Sequence, residues 1–185
     1  MIIRDFEPIH TEEVTYAYEY SFENNITTAE TIEDANLDKK ITRNELAKML
    51  SEFAINVLWK QPEEWKKWCG LFRDVTKQSK EMREYTKTAC ELWLMWLESD
   101  GKTVSRNFNP NSYVTRAEFG TTLSRLLYWD MNNLHTEAEK QYYKWYEKHL
   151  SALRVNWIMT QTEWEWATKK ELRWYVMLML MRAAQ

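Results

Sequence analysis

The sequence predicts an all-α fold in which three helix–loop–helix repeats pack into a bundle. Three gap-free stretches carry that reading: TRNELAKMLSEFAI from Thr42, TRAEFGTTLSRLLY from Thr115 and TKKELRWYVMLMLM from Thr168. Each opens Thr–basic–x–Glu–apolar. That is the pattern of a capping box, where the Thr hydroxyl accepts from the third helical amide and the Glu reaches back to the Thr amide. The expected pairs are Thr42 with Glu45, Thr115 with Glu118, and Thr168 with Glu171. The N3 carboxylate also suits the positive end of the helix dipole. Apolar residues then recur at helical spacing: Leu46, Met49, Leu50, Phe53; Phe119, Leu123, Leu126, Leu127; Leu172, Val176, Met179, Leu180.

Upstream of each box lies a further amphipathic stretch. The pattern predicts first helices over Glu12–Asn24, Lys80–Met95 and Glu137–Asn156. Their ends align at Asn25, Trp96 and Trp157, in FENNIT, WLMWLE and RVNWIM. Polar loops join first to second helices, and a polar linker covers Lys60–Cys69. The repeats are placed at 1–58, 70–129 and 130–185, with the final helix the most buried. Strand signals are weak, a short extended piece at Phe72–Val75 apart.

Composition narrows the function. The formal net charge is −3, so the chain lacks the basic footprint of a nucleic-acid binder. The longest apolar run, Trp174–Met181, is 8 residues. A membrane helix needs about 20. The first residues, MIIRDFEP, carry no signal-peptide core. A secreted protein with this sequence would therefore be a fragment or have a misplaced start. His10, His135 and His149 stand apart, and no phosphate loop, nucleophile elbow or zinc motif is present, so no catalytic activity is expected.

FRDV, a helix, then FNPNSYVTRAEFGTTLSRLL: residues 72–127 resemble an S-layer homology (SLH) repeat. Phe72, Asp74, Phe108, Pro110 and Val114–Phe119 carry the likeness. The first repeat shares Ile41–Leu46, and the third shares Thr168–Leu172 in outline, with Lys for Arg. The resemblance implies three repeats in a pseudo-threefold bundle. It also implies a non-catalytic, exported anchor at the bacterial cell surface, holding wall-linked polysaccharide in grooves between repeats. The ligand-side groups it implies are Arg116 and Asp74, Arg43, and Lys169 at the third box. A guanidinium fork suits carboxylate-bearing sugars, whereas Lys169 offers only a point charge. The alternative is a structural or assembly domain of a larger surface protein.

Asp34–Glu45 has EF-hand spacing, through which calcium would stabilise such a domain. Asp34, Asn36, Asp38, Thr42 and Glu45 fall at positions 1, 3, 5, 9 and 12, but Lys39 stands where the sharp turn wants Gly. No other metal or cofactor is expected. Cys69 and Cys90 are the only cysteines. They are read as a disulfide in an oxidising compartment, or else as two small buried thiols.

The chain has 11 Trp and 3 Gly. At the usual frequency of about 7%, roughly 13 Gly would be expected. Trp59, Trp96, Trp129 and Trp157 follow helices, where a left-handed C′ residue is normally Gly or Asn. Such Trp could stack on sugar rings or pack in the core. The preferred reading is that these four are glycine in the native protein, encoded by UGA under a genetic code that reads it as Gly. No functional argument then rests on Trp93, Trp96, Trp157 or Trp174.

Overall fold

The computed structural model describes residues 11–64, 67–97 and 105–185. His10 and the first ten residues of the first repeat lie outside them. The regular structure of the described residues is helical, with no strand. The helices are α1 (Glu12–Glu23), α2 (Arg43–Glu52), α3 (Lys80–Glu91), α4 (Arg116–Tyr128), α5 (Glu137–Tyr142), α6 (Glu147–Val155), α7 (Trp164–Ala167) and α8 (Arg173–Ala183).

Two capping boxes form where the sequence places them. The Glu45 amide donates to the Thr42 hydroxyl at 3.3 Å, and the Thr42 amide to Glu45 Oε2 at 2.9 Å. Thr115 and Glu118 do the same at 3.2 and 2.6 Å. The third expected box, Thr168 with Glu171, does not form. Thr168 ends α7, and α8 starts later, with Leu172 as N-cap and no side-chain cap. Glu171 is drawn inward instead, because its carboxylate meets Arg116. A box that the pattern did not single out, Thr136 with Glu139, opens α5.

The extended pieces sit just before α2, α4 and α8, not at Phe72–Val75. There the backbone closes a ring. The Ile41 amide donates to Glu171, Glu171 to Val114, and Val114 to Ile41, at 3.0, 2.8 and 3.1 Å. Isolated antiparallel bridges flank it: Lys40 with Leu172, Thr42 with Tyr113, and Thr115 with Lys170. Around the ring α1 packs on α8, α3 on α2, and α6 on α4. At the last contact a Cβ on Gly120 would sit 2.2 Å from Leu150 Cδ2, so a larger residue there would have to displace the Leu150 side chain. Tyr175–Met181 of α8 are all buried, which makes this helix apolar on every side.

The predicted helix over Glu137–Asn156 is broken. Tyr143 turns extended, Tyr146 enters the core, and Glu147 accepts from the Lys144 amide at 2.9 Å as α6 begins. α3 also ends a turn earlier than predicted, at Glu91. The cause lies in its C-terminal motif. The Trp93 amide donates to Cys90 and that of Leu94 to Ala89, both at 2.9 Å. The same pair of bonds closes α1 through Asn25 and Ile26, and α6 through Trp157 and Ile158. This is the Schellman pattern, and its apolar residue after the turn is buried in each case: Ile26, Leu94 and Ile158.

Left-handed backbone therefore falls on Asn25 (φ 57°), Trp93 (64°) and Trp157 (58°), and after the second helices on Trp59 (52°) and Trp129 (56°). Trp96 is not among them, which corrects its assignment to a C′ site. It packs 4.9 Å from Trp93 and 5.0 Å from Trp68, ring centre to ring centre. Trp129 combines φ 56° with ψ −133°, a region that glycine occupies almost alone. Trp59 and Trp157 are 82% and 79% exposed, so packing gives these two little in return.

Cys69 and Cys90 are joined by a disulfide, with Cα atoms 5.5 Å apart. It ties the short 3-10 turn Lys67–Gly70 to α3.

Candidate functional site

The side chains singled out by the SLH resemblance do not share one fate. Arg116 is 6% exposed. Its Nε and Nη2 donate to the two Glu171 oxygens at 2.8 and 2.9 Å. Nη1 donates to Gln161 Oε1 at 2.8 Å, and the guanidinium lies 3.7 Å from the Tyr175 ring centre. The residue is an internal tie. Asp74 is also committed: its two oxygens accept from the Phe108 and Asn109 amides at 2.8 and 2.7 Å. It clamps a loop in which Asn109 has φ 57°. Arg43 donates from Nε to the Phe108 carbonyl at 2.6 Å and lies over the Phe108 ring.

Lys169 does not take the place of the box arginine. Three backbone amides cross the ring in the same register: Arg43 to Ser112 at 2.9 Å, Arg116 to Lys169 at 2.9 Å, and Arg173 to Lys39 at 3.1 Å. Arg173 is thus the counterpart of Arg43 and Arg116, four residues beyond the Lys169 that the sequence pattern puts there. Its guanidinium pairs with Glu45 and donates to the Ala35 carbonyl at 3.1 Å. Lys169 instead holds its ammonium 3.8 Å from the Trp166 ring centre.

The same register explains the apparent calcium loop. The Lys39 amide donates to Asn36, and that of Ser112 to Asn109, both at 3.0 Å. Asn36 has φ 49°, so it answers a backbone demand, as Asn109 does. Asp34 accepts from Thr31 at 2.8 Å. Burial alone would raise the Glu45 pKa, but the Thr42 amide and Arg173 outweigh it and hold the carboxyl below its usual value. Among the described residues no three His, Cys, Asp or Glu side chains converge as a metal site.

A cavity of about 310 Å³ opens beside the ring. Arg43 from α2, Arg125 from α4 and Lys170 from the ring give it three cations. Its carboxylate, Glu118, is engaged in the capping box. Asn107, Asn109 and Ser112 supply polar groups, and the rings of Tyr113 and Trp145 line it. Thr121 also lines it. This residue is 3% exposed, and its hydroxyl has no hydrogen-bond partner among the described residues. A buried hydroxyl in that state costs about 1–3 kcal/mol, which a bound polar group would offset.

A second cavity of about 320 Å³ stands in the corresponding place beside α2. There Lys48 and Arg173 face Asp34 and Glu45, and Met49, Met82 and Met177 complete the wall. In the corresponding place beside α8, Arg116 is bonded to Glu171 and Gln161. The first cavity is lined by three cations and one carboxylate, the second by two of each. Sequence reasoning named Arg43 but missed Arg125, Lys170 and Thr121. Arg125 and Thr121 fall inside the TRAEF helix, outside its apolar stripe of Phe119, Leu123, Leu126 and Leu127.

The chain matches no protein-family model, and it matches no curated protein sequence. No helix among the described residues is long and apolar enough to cross a membrane.

Proposed function

We propose that the chain is a set of three SLH-like repeats around an approximate threefold axis. Its role is that of a non-catalytic module that anchors a surface protein to the cell envelope by binding wall-linked polysaccharide. The observation that supports binding is the groove of Arg43, Arg125 and Lys170, cationic on a chain of net charge −3. Acidic sugars would meet the cations, the amides and hydroxyls would take sugar hydroxyls, and Tyr113 would face a ring. The repeat arrangement is supported by the cyclic amide ring and by the helix pairs. Each first helix packs on the second helix of another unit: α1 on α8, α3 on α2, and α6 on α4.

The second reading, a structural domain that binds no glycan, is favoured by Arg116 and Arg173, whose forks are both taken by internal carboxylates. Co-sedimentation with isolated wall polysaccharide separates the two. The anchor reading expects the parent chain to sediment and Lys170→Ala with Tyr113→Ala to stay in solution. A parent chain that stays in solution supports the structural reading.

A further inference from the structure

We propose that Arg125 is the residue that recognises a negatively charged substituent on the ligand, held ready for it by a buried polar relay. The inference rests on the groove reading and adds to it the chemical group that is read and the residue that reads it. Neither the SLH-like motifs nor the capping pattern points to Arg125.

The relay is continuous. Asn132 Nδ2 donates to Ser124 Oγ at 3.1 Å, and Ser124 Oγ lies 3.0 Å from His149 Nδ1. His149 Nε2 lies 3.1 Å from Asn133 Oδ1, which also accepts from Arg125 Nε at 3.1 Å. A carbonyl oxygen only accepts, so the network assigns the His149 proton to Nε2. Nδ1 then accepts the Ser124 hydroxyl. Ser124 and His149 are fully buried, which removes the serine from any substrate and leaves the pair a supporting role.

The relay fixes Arg125 through Nε and leaves both Nη groups of the fork without a hydrogen bond or carboxylate among the described residues. Burial pushes the guanidinium pKa below its ordinary value, and no neighbouring carboxylate opposes that. Arg125 is half-buried and has no carboxylate partner among the described residues, whereas Arg116 and Arg173 each have one. Arg125 lines the 310 Å³ groove, where the one carboxylate, Glu118, is engaged in its capping box. An oxyanion entering this groove meets the open edge of the fork. The matching groups are a sugar carboxylate or a sugar phosphate, which a guanidinium binds through two parallel hydrogen bonds.

The test titrates the chain with tetragalacturonate, with inorganic phosphate and with neutral maltotetraose. The parent is expected to bind one or both anions and not the neutral sugar; which anion binds identifies carboxylate or phosphate. Arg125→Gln should weaken that binding at least tenfold, and Arg125→Lys should fall between. Asn133→Asp guards against a variant that fails to fold. It keeps the shape, sets a carboxylate against Arg125 and should also weaken anion binding. Anion binding unchanged in Arg125→Gln and Asn133→Asp, or no anion bound by the parent, overturns the proposal. Anion binding through Arg125 without retention on wall polysaccharide would sink the anchoring role and leave this inference standing.

Discussion

Glu171 lies bidentate on Arg116, two buried charges joined across the ring at 2.8 and 2.9 Å. Removing one partner strands the other away from water, which typically costs 3–5 kcal/mol. Glu171→Ala is therefore expected to lower the unfolding free energy by about 3–5 kcal/mol in urea titrations. The double change Arg116→Met with Glu171→Leu should recover most of it. If Glu171→Ala is silent, the pair does not hold the ring.

His149 ties stability to pH. Burial, then Arg125 and Lys148, push its pKa down to about 3 from 6.5. Ser124 and Asn133 are its hydrogen-bonding neighbours. The folded form thus binds fewer protons than the unfolded chain between those values. Its contribution is full above pH 6.5 and is lost as pH falls towards about 3. The slope from this one group is at most about 1.4 kcal/mol per pH unit. Denaturation at pH 7, 6 and 5 should show the decline, and His149→Gln should flatten it. The carboxyl groups of Glu45 and Glu139, both held low, act in the same direction only below pH 4.5.

The disulfide closes a loop of 21 residues. Loop-closure entropy gives such a link about 3 kcal/mol. At 2–4 °C per kcal/mol for a chain of this size, reduction should lower Tm by roughly 6–12 °C. Cys69→Ala with Cys90→Ala should melt like the reduced parent. A reduced chain that melts with the oxidised one would mean that the bond constrains nothing.

Four tryptophans stand in left-handed backbone: Trp59, Trp93, Trp129 and Trp157. Each Cβ there costs about 1–2 kcal/mol, against about 0.5–1 for the freedom of glycine. Trp157→Gly removes an exposed ring and is expected to raise stability by roughly 1 kcal/mol. The gene should carry UGA at the four positions. UGG at all four, with a lower Tm for Trp157→Gly, would contradict the glycine reading.

Local signals in the sequence were legible, and signals set by distant partners were not. Thr42 with Glu45 and Thr115 with Glu118 could be read because a capping box spans four residues. The left-handed demand at Asn25 and Trp157 was visible for the same reason. Thr168 with Glu171 misled because Glu171 answers to Arg116, 55 residues away. That shifted the third repeat and hid Arg173 behind Lys169. Trp96 was preferred to Trp93 because helical apolar spacing continues through Met95, while burial of Leu94 ends the helix first. Asp34–Asp38 imitated a calcium loop because asparagine serves both ligands and left-handed turns. Arg125 gave no signal, since its meaning lies in the relay to His149 and Asn133.

The central claim is that one groove, at Arg43, Arg125 and Lys170, takes the wall polysaccharide. Amide-resolved NMR during titration with wall-polysaccharide fragments tests it most directly. The account predicts saturable shifts at Asn107, Asn109, Tyr113, Thr121 and Lys170, with Gln161 and Glu171 unmoved. Shifts centred on Gln161 and Glu171, or none that saturate, would contradict it.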